Sequence, residues 1–244
     1  MDKHKLSSSS LSLVVMSLVG VLPLLLLSPA QSVTFEPKGS PEQTAGGASR
    51  GDTCLKPSEV TTSKQSFAAL IPATDGELTA DAYPTIFVKV PQSQSLTAEF
   101  TFWDENSMAI YQTTVPLTGT PGIISFKLPN TAGPLEIGKL YKWSVAMICD
   151  DNDRTGDIVL KGGLQRAEVS SALSSQLSSA DPLQKAKLYA QNRFWYDTVA
   201  ILIELRRSRP DDVQVTAEWQ ELLQSVGLTE FSQAYLVDCC QAQN

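Results

Sequence analysis

The sequence predicts an α+β protein in which an antiparallel β-sandwich is followed by a C-terminal helical hairpin or bundle. Three observations predict it. Apolar residues recur at every second position across residues 67–169, the period of a half-buried strand. At Ser170 the spacing changes to three and four, the period of a helix with one buried face. Hydrophobic residues make up 42% and charged residues 18% of the 244, a balance that supports a packed core rather than disorder.

The strands follow in order. Leu70-Ile71-Pro72 ends a first one. Ile86, Val88 and Val90 alternate in a second. Leu96, Ala98, Phe100 and Phe102 alternate with Thr97, Glu99, Thr101 and Trp103 in a third. Asp104-Glu105-Asn106-Ser107 makes the hairpin turn to the next strand, residues 108–115, because short polar side chains bond their own backbone. Ile124, Phe126 and Leu128 mark another, set between turn residues. Tyr141, Trp143, Val145, Met147 and Cys149 alternate along the next, and residues 157–169 supply the last, with a bulge or bend expected at Gly162-Gly163. About seven short strands in about 100 residues fit a sandwich of immunoglobulin-like type. Trp143 is the aromatic expected in its core.

The helices announce themselves by their caps. Residues 170–179 form a short helix or a linker. Asp181 caps the next helix, with Pro182 in its first turn. A helix over residues 194–207 is stopped by Pro210. Residues 212–226 and 229–240 read as two further amphipathic helices separated by Gly227.

Residues 1–30 have the order of a secretory signal peptide. Lys3, His4 and Lys5 precede an apolar run over residues 11–27, and small residues follow as Ser28-Pro29-Ala30 or Ala30-Gln31-Ser32. The run is short for a bilayer span and contains Pro23, so membrane attachment is expected only if the leader is retained as an anchor. Residues 31–53 are rich in Gly, Ser, Pro, Thr and Gln and read as a disordered linker. The sandwich domain is expected over residues 54–169 and the helical region over 170–244. The four cysteines agree with an oxidising compartment. Cys54 and Cys149 each flank a strand-like segment and are the expected bridge, worth about 4–5 kcal/mol by chain entropy. Cys239 and Cys240 are adjacent, a poor geometry for bridging each other, and stay free or pair with another chain.

Composition excludes several chemistries. The net charge is −7 with no basic stripe, which argues against nucleic-acid binding. His4 is the only histidine and leaves with the leader, removing Ser-His-Asp and Cys-His catalysis and histidine metal sites. There is no Walker loop and no G-x-G-x-x-G. Ser63-Lys64 is an adjacent pair, weak ground for a spatial dyad. Asp150-Asp151-Asn152-Asp153-Arg154-Thr155-Gly156-Asp157 begins like a calcium loop, but Gly162 stands where the bidentate Glu is required, so a polar turn is the favoured reading. Tyr189, Phe194, Trp195 and Tyr196 are expected mostly in the core; if exposed, they would form a partner patch. No catalytic, cofactor or metal residue is assigned.

Several short motifs fall in a characteristic order: Tyr141-Lys142-Trp143-Ser144, Ile148-Cys149-Asp150, Asp153-Arg154, Asp157-Ile158 and Arg166, then Asp181-Pro182, Tyr189-Ala190 and Trp195-Tyr196-Asp197, with Cys54 and Leu70-Ile71-Pro72 near the front. On these motifs the chain resembles a cyanobacterial family, domain of unknown function 928. The resemblance spans about residues 51–228 and implies a cyanobacterial exported protein, but no activity. The first long helices also resemble a single tetratricopeptide-like hairpin, although solenoids need several repeats.

The expectation is an exported, periplasmic or extracellular, non-catalytic protein. It would be a binding or structural module of the cell envelope that meets a protein partner through its helical tail. The alternatives are a carboxylate-dependent envelope hydrolase and a small-ligand or calcium receptor.

Overall fold

Strand alternation decides which side chains turn inward, and the observed strands follow it closely. A computed structural model describes residues 32–36, 67–73, 77–93 and 97–237. The leader, Cys54, Ser63-Lys64, Cys239 and Cys240 lie outside the described residues. The architecture is α+β. The strands are β1 (Ala68–Ala69), β2 (Glu77–Thr79), β3 (Thr85–Val90), β4 (Thr97–Trp103), β5 (Ala109–Pro116), β6 (Gly122–Lys127), β7 (Leu140–Ile148) and β8 (Ile158–Arg166). They form a three-stranded sheet, β1-β3-β6, and a five-stranded sheet, β2-β8-β7-β4-β5. Ala98, Phe100 and Phe102 of β4 are all buried. Phe100 stacks on Phe126 of β6 with ring centroids 5.2 Å apart, so aromatic contact joins the inner faces of the two sheets.

Two strand-level expectations need correction. The pairing is not wholly antiparallel, because β2 runs parallel to β8. The three residues of β2 are too few to show a period, and the pairing is sealed where Ala167 N–H donates to Thr79 O at 2.9 Å. The bulge expected at Gly162-Gly163 is absent: β8 pairs with β7 in unbroken register through both. Gly162 is needed for space. A Cβ there would stand 2.3 Å from Trp143 Cζ2, so the glycine lets the indole lie flat against the neighbouring strand.

The helices are α1 (Ser171–Ser179), α2 (Pro182–Gln191), α3 (Trp195–Ser208) and α4 (Val213–Ser225). Ser170 accepts from Leu173 N–H at 3.2 Å, Asp181 from Gln184 N–H at 2.9 Å, and Asp212 from Gln214 N–H at 2.9 Å. Each bond satisfies an orphan donor of the first turn. The helix expected over residues 229–240 is not formed across its described part, residues 229–237. A 3-10 turn at Thr229–Phe231 is followed by extended chain, and Leu236 bridges in parallel to Ile123 of β6. Gly122 permits this: a Cβ there would meet the Tyr235 carbonyl oxygen at 2.6 Å.

The linker reading also fails at its start. Residues 32–36 are extended, and Val33 and Phe35 are fully buried. Val33 N–H donates to Glu218 Oε2 at 2.6 Å and Phe35 N–H to Ser225 Oγ at 3.0 Å. The Phe35 ring meets Trp195 edge-on, with centroids 5.0 Å apart. Two apolar residues among polar ones are too weak a pattern to read, but they strap the helical region. Residues 37–53 lie outside the described residues.

A continuous apolar core runs from the sheets through α3 to α4. Hydrogen bonds tie the layers together: Trp195 Nε1 donates to Leu70 O at 2.9 Å, Trp143 Nε1 to Tyr196 Oη at 3.1 Å, and Tyr196 Oη to Gly163 O at 3.0 Å. Among the described residues no helix is long and apolar enough to cross a membrane.

Candidate functional site

Helix α3 has two differently used faces. Trp195, Tyr196, Val199, Leu202 and Ile203 are buried in the core. Asp197, Ala200, Ile201, Glu204 and Arg207 recur three and four apart, so they share a stripe. That stripe forms one wall of a cleft.

The other walls come from the edges of the two sheets. β5 and β6 are the outermost strands of their sheets. Tyr111 and Thr113 of β5 face Ser125 and Lys127 of β6 across the cleft, over a floor that includes Phe100 and Phe126. Asp81 and Tyr83 close one end. The cavity measures about 570 Å³, within the ordinary range for ligand sites. Its rim carries both signs of charge, with Lys127 and Arg207 opposed to Asp81 and Glu204. No cysteine or histidine lines it.

The edge of β6 offers more than side chains. Leu128 N–H donates to Pro84 O at 3.0 Å. The antiparallel register therefore turns the even residues of β6 toward β3 and the odd ones outward. Ile123 uses its outward groups on the C-terminal segment, donating to Tyr235 O at 2.7 Å and accepting from Val237 N–H at 2.9 Å. Ser125 and Lys127 come next along the edge, and among the described residues nothing pairs with their outward N–H and C=O groups.

A second lobe of about 340 Å³ adjoins the cleft and contains Thr79, Tyr189, Tyr196 and Asp197. Burial pushes the Asp197 carboxyl up to about 6. The Ala80 N–H, 2.9 Å from Oδ2, and the Thr79 hydroxyl pull it back down, while the Asp81 charge raises it further. Burial also raises the Tyr189 phenol, helped by the negative charges of Asp197 and Asp81.

The residues singled out from sequence lie elsewhere. Cys149 is half-buried at the end of β7. Its Sγ is 2.9 Å from Gly156 O, and its N–H donates to Asp157 Oδ1 at 3.1 Å. No cysteine among the described residues is a free thiol. Trp143 is six residues away along β7, about 20 Å in a strand, with its indole turned to helix α3. The acidic stretch folds as a turn: Asp153 accepts from Thr155 N–H at 3.0 Å, and Arg154 bonds both Asp157 and Glu99. Arg154 thereby supplies the positive charge that a calcium loop would take from a metal. Phe194, Trp195 and Tyr196 are buried and Tyr189 is half-buried, so this cluster is core and not an exposed patch. Sequence reasoning missed the cleft. Only its α3 stripe, at helical spacing, left a readable signal.

No curated protein matches the chain. The family model described as Domain of Unknown Function (DUF928) matches residues 45–236. The match takes in both sheets, all four helices and both lobes of the cleft, and the chain belongs to the DUF928 family.

Proposed function

We propose that the protein is an exported, non-catalytic binding module of the cell envelope, periplasmic or extracellular, whose ligand lies in the cleft between β5, β6 and α3. The observation that carries this reading is the cleft itself. It has an aromatic floor, hydroxyl groups, mixed charge at the rim and an open strand edge, but no histidine or cysteine. Such a surface suits a polymer segment with apolar faces and polar edges, a glycan or an extended peptide. The helical region contributes the α3 wall and so takes part in partner binding. In this reading the two sheets are an immunoglobulin-like scaffold, supported by their face-to-face aromatic contact and mostly antiparallel pairing. Export is supported by the leader pattern and by the lack of a free thiol among the described residues. Cys54 is the proposed partner of Cys149, with the family's cyanobacterial setting as part of the same reading.

Thermal-shift titration against envelope glycan fragments and extended peptides tests it, because a ligand of the native state raises the melting temperature. A shift lost in Tyr111→Ala and Lys127→Glu is the expected result. Flat curves across the panel argue against the cleft.

One observation favours a second reading. Asp197, raised to about 6 by burial, shares a lobe with the exposed Asp81, and a buried and an exposed carboxyl side by side can divide acid and base roles. A hydrolase of this kind would release products from envelope polymer and lose that activity in Asp197→Asn.

A further inference from the structure

The β6 edge inside the cleft is matched by one kind of ligand. Ser125 and Lys127 each turn a backbone N–H and a C=O outward, and among the described residues nothing pairs with these four groups. On such an edge donors and acceptors come in a fixed order that repeats every two residues, about 7 Å along the strand. A second extended backbone reproduces that order, whereas a sugar hydroxyl both donates and accepts and imposes none. The edge already takes an extended chain one step earlier. Ile123 donates to Tyr235 O at 2.7 Å and accepts from Val237 N–H at 2.9 Å, with Leu236 bridged beside it. The open length begins at Ser125 and continues this pairing.

The two sides of the edge ask for different side chains. Ser125 and Lys127 stand opposite Phe87 and Thr85 of β3, so these four share one face, which lines the cleft together with Ala200 and Ile203 of α3. Phe126 points the other way and stacks on Phe100. Tyr111 and Thr113 stand opposite the buried Phe102 and Phe100 in the β4–β5 register and share that inner side. A strand laid on β6 therefore sends alternate side chains toward α3 and toward the aromatic floor. The residue opposite Phe126 meets the rings and is apolar. The residue opposite Ser125 comes beside the buried Phe87 and Ile203 and is small. The rim is balanced overall, Asp81 and Glu204 against Lys127 and Arg207, so the nearest neighbour decides the charge at each position. Lys127 is exposed and forms no ion pair among the described residues. Opposite charges are favoured at about 5 Å across strands, so the residue facing it is acidic.

We propose that the cleft takes an extended peptide segment, added to β6 as an antiparallel strand at Ser125 and Lys127, whose residues run acidic, apolar, small from its N-terminal end. β6 is already antiparallel to β3 on its other edge, and that direction is the more stable per residue.

The inference rests on the reading of the cleft as the ligand site, and the probes separate the two. The full chain is titrated with the blocked pentapeptide acetyl-Leu-Glu-Leu-Ser-Leu-amide while backbone amide exchange is followed at Ser125 and Lys127. Both amides are expected to exchange fast without peptide and about tenfold or more slowly with it. N-methylation of the peptide at Glu or at Ser is expected to abolish binding, because those N–H groups face β6, and N-methylation of the leucine between them is expected to be tolerated. In Lys127→Glu the affinity should fall about tenfold and return when Lys replaces the peptide's Glu. Equal loss at all three N-methylated positions, or binding that leaves both amides fast, overturns the inference. Slow exchange of both amides without peptide overturns it too, since the edge is then covered by its own chain or by a second copy. Binding of envelope glycan fragments but of no peptide overturns it and leaves the binding-module reading standing. Binding of neither overturns both.

Discussion

A methyl group added to Gly162 would press into a ring that has nowhere to go. The Trp143 indole is 1% exposed and held by its hydrogen bond to Tyr196 Oη. Gly162→Ala is therefore expected to destabilise by about 3 kcal/mol, in the upper range for overpacking, read as a lower urea midpoint with unchanged slope. Asp197 makes a prediction of the opposite sign. Its proton is held more tightly in the folded state, at about 6 against an ordinary value of 3.8. Between those values the folded state binds the extra proton, so stability falls as pH rises through this window and levels off above it. The effect is at most about 3 kcal/mol at neutral pH. Asp197→Asn, whose amide oxygen can still accept from Ala80 N–H, should remove the slope and be the more stable protein at pH 7. Urea midpoints taken from pH 4 to pH 7 measure both. A variant that keeps the slope assigns it to another group.

At the scale of elements, end signals were more readable than short pairings. Asp181 and Pro210 were legible in sequence because capping and chain stopping are local chemistry. Asp212→Ala is expected to cost about 1 kcal/mol, visible in the melting of α4. β2 was not legible, since three residues show no period and their partner lies beyond residue 160. Nor was the C-terminal segment, whose apolar residues suit a helix as well as an edge strand until Gly122 offers a close approach. The strap is the sharpest case. Phe35 sits in a stretch of linker-like composition, yet Phe35→Ala is expected to cost about 3–5 kcal/mol, as for a core phenylalanine. A loss under about 1 kcal/mol in chemical denaturation would show that the strap is only loosely seated.

For the whole molecule, the order of strands followed by helices was plain from the change of period, because a buried face imposes its spacing on every element. The cleft was not, because its walls come from places as distant in sequence as Asp81, Tyr111, Lys127 and Arg207. Only folding brings them together. The strap has one more consequence, for the timing of folding. Val33 bonds a residue 185 positions later, and Phe35 one 190 positions later. Polypeptide is delivered from its N-terminus at about 5–20 residues per second, so some 10–40 seconds pass before either residue can find its seat. Throughout that interval the leading end of the newborn chain remains unlatched and threadable, and only the arrival of the final helix locks it home.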